Sequence, residues 1–360
     1  MTVWQPIWQR YWTGWYAMIA KLRRFLRLVA ADVLYYLGLL SLWHLVRRKI
    51  VRRKEVCILG LHRVLPEEQQ NRSNSLDGIV LREATFVKLL HYLSRRFCVL
   101  SLDAFLKGET QESDRSKFCC LLTFDDGWRD SYTVVYPWLK TFGLAATVFV
   151  TTGLIGAHAR IWVEQLVGAW RSSPGHEHLR SWLDTVVQEQ GRVTSLEEII
   201  EYLKHMPAEK RQCILRQLLP MQEERHRHDE VDQMLTWDQV IEMSRDGIDF
   251  GAHTVTHPLL TYENDMTVEQ ELRTAKHILE ENLGKKVRAF AYPNGDWDDR
   301  VRRWVEQTGY ECAFTTRQGW YRSGQDPYTI RRIMLHEGNV TGRNRQFSPA
   351  MLNLTLAGWD

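Results

Sequence analysis

From Val56 onward, short apolar runs ending in polar residues alternate with stretches of helical period, and this alternation restricts the fold more than any other feature of the chain. The runs at 56–61, 98–102, 118–124, 145–151, 249–253, 287–292, 313–316 and 330–335 read as strands, and those at 82–97, 131–142, 266–283 and 298–308 as helices. Thr236-Trp237-Asp238-Gln239 and Ser195-Leu196-Glu197-Glu198 carry the spacing of capping boxes and mark two further helix starts. Residues 155–235 break the rhythm, being helical and polar with no strand, and read as an insertion packed over one mouth of the sheet. The expected body, residues 55–345, is therefore α/β: a parallel sheet or barrel with outer helices, followed by a tail at 346–360.

The first 54 residues have a different texture. They hold eleven Lys/Arg against one acid, Asp32, so a chain of net charge +3 carries +10 at its start and −7 over the rest. Positive charge confined to one end and mixed with large apolar groups argues against a nucleic-acid binder and for an anionic membrane surface. On a helix, Trp4, Trp8, Trp12 and Trp15 share a face with Tyr11, and amphipathic indoles prefer headgroup depth. Residues 28–46 are apolar apart from Asp32, Ser41 and His44, and basic clusters flank them. That length could just span a bilayer, but a mid-depth Asp costs about 3 kcal/mol and basic residues at both ends give no orientation. The expectation is a set of amphipathic helices on the cytoplasmic face of a membrane, with a single span or packing on the body as alternatives. No cleavage site for a secretory signal follows the apolar run. Cys57, Cys98, Cys119, Cys120, Cys213 and Cys312 form no CxxC pair, and most of them, lying in apolar runs, read as small buried hydrophobes of a reducing compartment.

Chemistry-bearing residues stand at the ends of expected strands. Leu121-Leu122-Thr123-Phe124 runs into Asp125-Asp126-Gly127, where two adjacent carboxylates repel unless something cationic binds one, and the Gly permits a sharp turn. Phe250-Gly251-Ala252 runs into His253-Thr254-Val255-Thr256-His257, whose imidazoles, four residues apart, can meet one metal ion. With a single carboxylate they make a set of two His and one Asp that leaves positions open for water and substrate. His226 and His228, in a charged run, read as a solvated face.

Together these residues resemble the first two motifs of the polysaccharide deacetylases, the NodB-homology domain of carbohydrate esterase family four, with the resemblance running from about Cys57 to about Gly338. It implies a distorted (β/α) barrel with a helical insertion and metal-dependent removal of acetyl groups, usually the N-acetyl of N-acetylhexosamine units in a polysaccharide or lipid-linked glycan of the cell envelope. Asp125 would be the general base, and Asp126, His253 and His257 the metal ligands. The physics agrees, because an Asp bound to a cation stays ionised while its free neighbour can take a proton from a water the ion has acidified. Zinc is the default for this donor set; nickel, cobalt or iron would also fit.

Ala289-Phe290-Ala291-Tyr292-Pro293-Asn294-Gly295 resembles the third motif, with the Tyr292 N–H as oxyanion donor and Pro293 beside it at the substrate. The usual Arg that tethers the base is replaced by Ala291. Arg332 is the candidate replacement, since strand alternation puts Arg332 and His336 on one face and Arg331 on the other. The alternative makes both arginines rim ion-pair partners. Two histidines compete as general acid: His336, in a late Leu-x-His resemblance, and His62, in the His62-Arg63-Val64 signature of the membrane- and biofilm-associated branch. In that branch the acid motif is permuted to the N-terminal side, and the departure of the third motif in the same manner favours His62. Trp162, Glu164 and Trp320 are candidate sugar contacts, with core packing as the alternative. An O-deacetylase or deformylase would use the same residues, and a silent glycan-binding module would have no need of them.

Overall fold

Near-continuous apolar strands can be satisfied only if both faces of the sheet are covered, and in a computed structural model of the chain the strands are laid out in that way. It describes residues 7–51, 55–109, 117–157, 160–172, 179, 182, 195–218 and 230–358, which fall into two compact units, Arg53–Gly338 and Met1–Arg52 with Asn339–Asp360.

In the larger unit, Glu55–Leu61 (β1), Phe97–Leu100 (β2), Phe118–Phe124 (β3), Thr147–Val150 (β4), Asp249–Ala252 (β5), Ala289–Ala291 (β6), Cys312–Phe314 (β7), Tyr321–Arg322 (β8) and Ile333–Met334 (β9) form one sheet. Its order is β8-β1-β3-β4-β5-β6-β7, with β2 also beside β3 and β9 also beside β1; only the β8 pairing is antiparallel. Ile58, Leu121, Phe149, Ala289 and Phe314 meet in one buried cluster of this unit. Ile330 bridges to Phe314 of β7 while Ile333 and Met334 pair with Leu59 and Gly60 of β1, so the segment 330–334 joins the two edges of a curled sheet. The approach is close: a Cβ on Gly60 would lie 2.4 Å from the Met334 sulfur. The distorted barrel expected from the sequence is the fold found.

Register decides where function can sit. Leu61 lies opposite Phe124 and Val150 opposite Ala252. Hence His62, Asp125 and His253, each the first residue past its strand, emerge at the same mouth of parallel strands, where open α/β folds collect their ligands.

The described part of the insertion is helical, with Trp162–Arg171, Leu196–Lys204 and Ala208–Leu218 packing through Leu166, Ile199, Ile200, Leu203 and Leu215. Both expected capping boxes form, at Ser195 with Glu198 and at Thr236 with Gln239. His226 and His228 lie outside the described residues.

The smaller unit contains helices Ile7–Tyr36 and Leu39–Val51, separated at Gly38, whose φ of 73° suits a residue without a Cβ. The expected tail contains a third helix, Pro349–Ala357, capped by Ser348; its Ala350, Met351 and Leu354 form a core with Ala31 and Leu40. Asp32 lies 4.0 Å from Arg343. Trp4 is outside the described residues, as are the side chains of Trp8, Tyr11, Trp12 and Trp15. Among the described residues no helix is long and apolar enough to cross a membrane.

Candidate active site

Asp126 is the focus of the first cluster. Its Oδ1 lies 3.5 Å from Nε2 of His253 and 3.5 Å from Nε2 of His257, and the three donor atoms converge within 4.8 Å of one another. The chain reaches this geometry by leaving the strand conformation abruptly: Asp126 and Gly127 have φ of 75° and 86°, and Thr254 and His257 have φ of 67° and 60°. The His253–His257 loop is held by Glu271, which accepts from the N–H groups of Val255 and Thr256 and from the Thr256 hydroxyl. The Nδ1 of His253 lies 2.7 Å from the Ala291 carbonyl. A carbonyl can only accept, so Nδ1 carries the proton and the Nε2 lone pair faces Asp126. An imidazole with its outer nitrogen tied to a carbonyl is the usual dress of a metal-binding His.

The electrostatics agree. Burial pushes the Asp126 carboxyl up, but the contacts with His253 and His257 hold it well below the usual carboxylate range. Burial lowers both imidazoles and Asp126 raises them, leaving His253 above its ordinary value and His257 below it. Two nitrogen donors and one ionised oxygen, buried but for a half-buried His257 and facing one point, fit a divalent cation.

Asp125 belongs to a second cluster. Arg332, fully buried, grips it with two parallel bonds, Nη1 to Oδ1 at 2.7 Å and Nη2 to Oδ2 at 2.6 Å. The guanidinium also donates to the Thr315 carbonyl at 2.9 Å and to the Thr123 hydroxyl at 3.2 Å. Arg332 can do this because it lies in the segment that joins the two sheet edges and points into the barrel; Arg331 is exposed. Burial raises the Asp125 carboxyl, yet Arg332, with His253 and His62 behind it, keeps the group below its ordinary value. His62 Nε2 lies 3.9 Å from Asp125 Oδ2.

His62, Asp125, Asp126, His253 and His257 line one cleft, together with Trp162 and Glu164 from the insertion. Burial pushes the Glu164 carboxyl up to about 8, with Asp126 adding to the rise and Arg63 opposing it. Its Oε2 has no hydrogen-bond partner among the described residues. Trp162 is buried, and the Arg211 guanidinium lies 4.9 Å from its ring centroid.

Other expectations need correction. The Tyr292 N–H is not available to an oxyanion, because it donates to the Phe314 carbonyl at 3.0 Å, extending the ladder of β6 and β7; its hydroxyl donates to the Tyr328 carbonyl. Pro293 is buried in the turn and does not line the cleft. Asn294, one residue further, does line it, with φ of 57°. His336 is absent from the cleft lining, and its Nδ1 accepts from the Gly338 N–H. Trp320 packs edge-on against Phe118, the first residue of β3, at the opposite end of that strand from Asp125.

Sequence reasoning missed Asn294, Glu271, Trp128 and Lys204. Lys204 reaches the cleft from the insertion and donates to the Asn294 side chain at 3.0 Å. Its contact lies 90 residues away along the chain, so no local pattern announces it. Trp128 follows the Asp-Asp-Gly turn directly, and that adjacency was the available signal.

Comparison with known proteins agrees with this geometry. The family model for polysaccharide deacetylases matches residues 112–313, more than half of the chain. YxkH of Bacillus subtilis strain 168, whose name assigns it to the polysaccharide deacetylases, is 23% identical over 229 residues. That alignment covers 64% of this chain and 56% of the relative, little more than half its length. The Streptococcus pyogenes deacetylase PplD, solved in complex with acetate, superposes with a TM-score of 0.53 at 20% identity over 82% of this chain and 99% of that one. IcaB from Ammonifex degensii gives 0.52 at 18% identity over 84% and 96%. At these identities the superpositions establish a shared fold.

Proposed function

Since the chain belongs to the polysaccharide deacetylase family of hydrolases, we propose that it removes N-acetyl groups from N-acetylhexosamine units of a polysaccharide or lipid-linked glycan, using a divalent ion, zinc by default. The observation that carries this reading is the convergence of Asp126, His253 and His257 beside an Asp125 carboxylate that lies outside their set and is clamped by Arg332.

Asp126, His253 and His257 would hold the ion. When bound it supplies Lewis acidity, lowering the pKa of water and polarising an amide carbonyl. The chain's own residues do the rest. Asp125 accepts the proton of the attacking water as its oxygen bonds to the acyl carbon. Arg332 keeps that carboxylate ionised and oriented, at some loss of basicity. The Asn294 N–H serves as the oxyanion donor in place of Tyr292. His62 delivers a proton to the nitrogen as the C–N bond breaks, because an amide anion is a very poor leaving group. The products are acetate and a free amine.

Mass spectrometry of N-acetylated oligosaccharides incubated with the Zn²⁺-loaded protein should show loss of single acetyl units, and chelation should stop it. An intact substrate with the metal present would refute the proposal; loss of acetyl only from O-acetylated sugars would redirect it to esters. His62→Ala should lower kcat on the order of 10²-fold with Zn²⁺ affinity retained, whereas His336→Ala should leave kcat near wild type. The reverse ranking would make His336 the acid.

For location, we propose an anionic membrane surface on the cytoplasmic side. Exposed apolar side chains, including Leu22, Phe25, Leu26, Leu42 and Leu45, sit among exposed Arg23 and Arg24 in the smaller unit. All six cysteines are free, in keeping with a reducing compartment. The full chain should co-sediment with phosphatidylglycerol vesicles at low salt and not with phosphatidylcholine; equal binding to both would remove the electrostatic part of the proposal.

A further inference from the structure

We infer that Trp128 is a positioning residue for Asp126, and that Arg63, together with the end of the helical insertion, exists to hold Trp128 in place. The inference rests on the metal reading given above, and it concerns the half of the Asp126 carboxylate that faces away from the two histidines.

Asp126 Oδ1 is the atom shared by His253 and His257, while Oδ2 accepts the indole N–H of Trp128 at 3.0 Å. A carboxylate at a turn just past a strand can rotate about its side-chain bonds. One buried N–H donor on the far oxygen fixes its plane and leaves a single oxygen as ligand. Trp128 has no solvent exposure, and its own orientation is set from two sides.

The first side is Arg63, whose guanidinium carbon lies 4.3 Å from the indole centroid. Arg63 is completely buried; it donates to Asp130 Oδ1 at 3.1 Å, to Asp232 Oδ1 at 2.5 Å and to the Ser73 and Ser75 hydroxyls at 2.9 Å each. The two carboxylates are themselves anchored, Asp130 by the Val64 N–H and Asp232 by the Asn74 N–H, both at 2.8 Å. The second side is backbone. Where the insertion returns to the barrel, Met234 pairs with Trp128, the Leu235 N–H donates to the Gly127 carbonyl, and the Arg129 N–H donates to the Gln233 carbonyl. The loop that follows Asp126 is thus zipped to the insertion's last residues, one of which, Asp232, is also a partner of Arg63.

Stability alone does not account for so much buried charge, since apolar residues of the same volume commonly serve as well or better. What an apolar cluster could not supply is a fixed direction for the indole N–H. Partners in this layer behind a metal ligand typically carry 10–100-fold in metal affinity.

The test is Zn²⁺ binding by the full chain, measured by chelator competition, in wild type, H253A and W128F. Phe keeps a ring for Arg63 to face and removes the N–H. W128F should bind Zn²⁺ about 10–100-fold more weakly than wild type, and at saturating Zn²⁺ its kcat should recover with the substrate KM unchanged. A W128F dissociation constant within about twofold of wild type, accompanied by a lower melting temperature of the metal-free protein, would mean a merely structural role and overturns the inference. Should W128F fail to fold, ¹⁵N-indole spectra of the wild type decide: a solvent-protected indole N–H must shift as Zn²⁺ is added, and its failure to respond overturns the inference equally. Wild type that binds no Zn²⁺, or binds it no better than H253A, would instead bring down the metal reading, and this inference with it.

Discussion

Replacing Asp125 by Asn is expected to lower kcat by about 10²–10⁴-fold, the range for removing a positioned base, while Zn²⁺ still binds through Asp126, His253 and His257. The shape of the site is what separates the two effects. Asp125 makes its close contacts with Arg332 and stands 3.9 Å from His62, whereas the converging trio takes its carboxylate from Asp126. An amide nearly matches the carboxylate in size and still accepts one hydrogen bond from Arg332, but it cannot accept a proton at neutral pH. Single-turnover rates together with chelator competition would read the two effects independently. A variant that loses metal and activity in parallel would place Asp125 among the ligands and contradict the division of labour between the two carboxylates.

Arg332→Ala should cost about 3–5 kcal/mol of folding stability at neutral pH, because it leaves the Asp125 carboxylate buried without its cation. The effect has a definite pH sign. In the folded wild type the Asp125 carboxyl lies below its ordinary value of 3.8, despite burial, because of Arg332. The stabilisation is therefore fully present above the unfolded-state value and is lost as pH falls through the lower folded-state value. The gap between wild type and variant should narrow in acid. Urea melts at pH 7 and at a pH below 3.8 would measure it, and a gap that stays constant or widens in acid would show that the pair is not coupled in the folded state. The variant should also lose activity, since an unclamped carboxylate spreads over several orientations.

The same pair shows which parts of the site local pattern could reveal. Strand alternation alone assigned Arg332 and Arg331 to opposite faces, and the protein has one buried on Asp125 and the other exposed. Asp125, Asp126, His253 and His257 were legible for a similar reason: each follows an apolar run whose end is visible in composition, and parallel strands present their ends at one mouth. Tyr292 was misassigned because its N–H belongs to the ladder, whose reach past Ala291 depends on where β7 stops. The turn residue Asn294, held at positive φ, escapes the ladder. Trp320 and His336 carried the right chemistry but were sent elsewhere, one to the opposite end of β3 and the other outside the cleft.

The amino-acid sequence by itself determined the alternation that makes a barrel, the helical character of the insertion and the residues that leave each strand for the mouth, because these depend on period and on nearest neighbours along the chain. Only the tertiary structure decided that the ladder takes up the Tyr292 N–H, which histidine lines the cleft, and that Arg63 meets Asp232 across 169 residues beside the Trp128 indole. Contacts of that kind are set by how strands close and how an insertion returns, and burial makes them strong only after folding has excluded water from them.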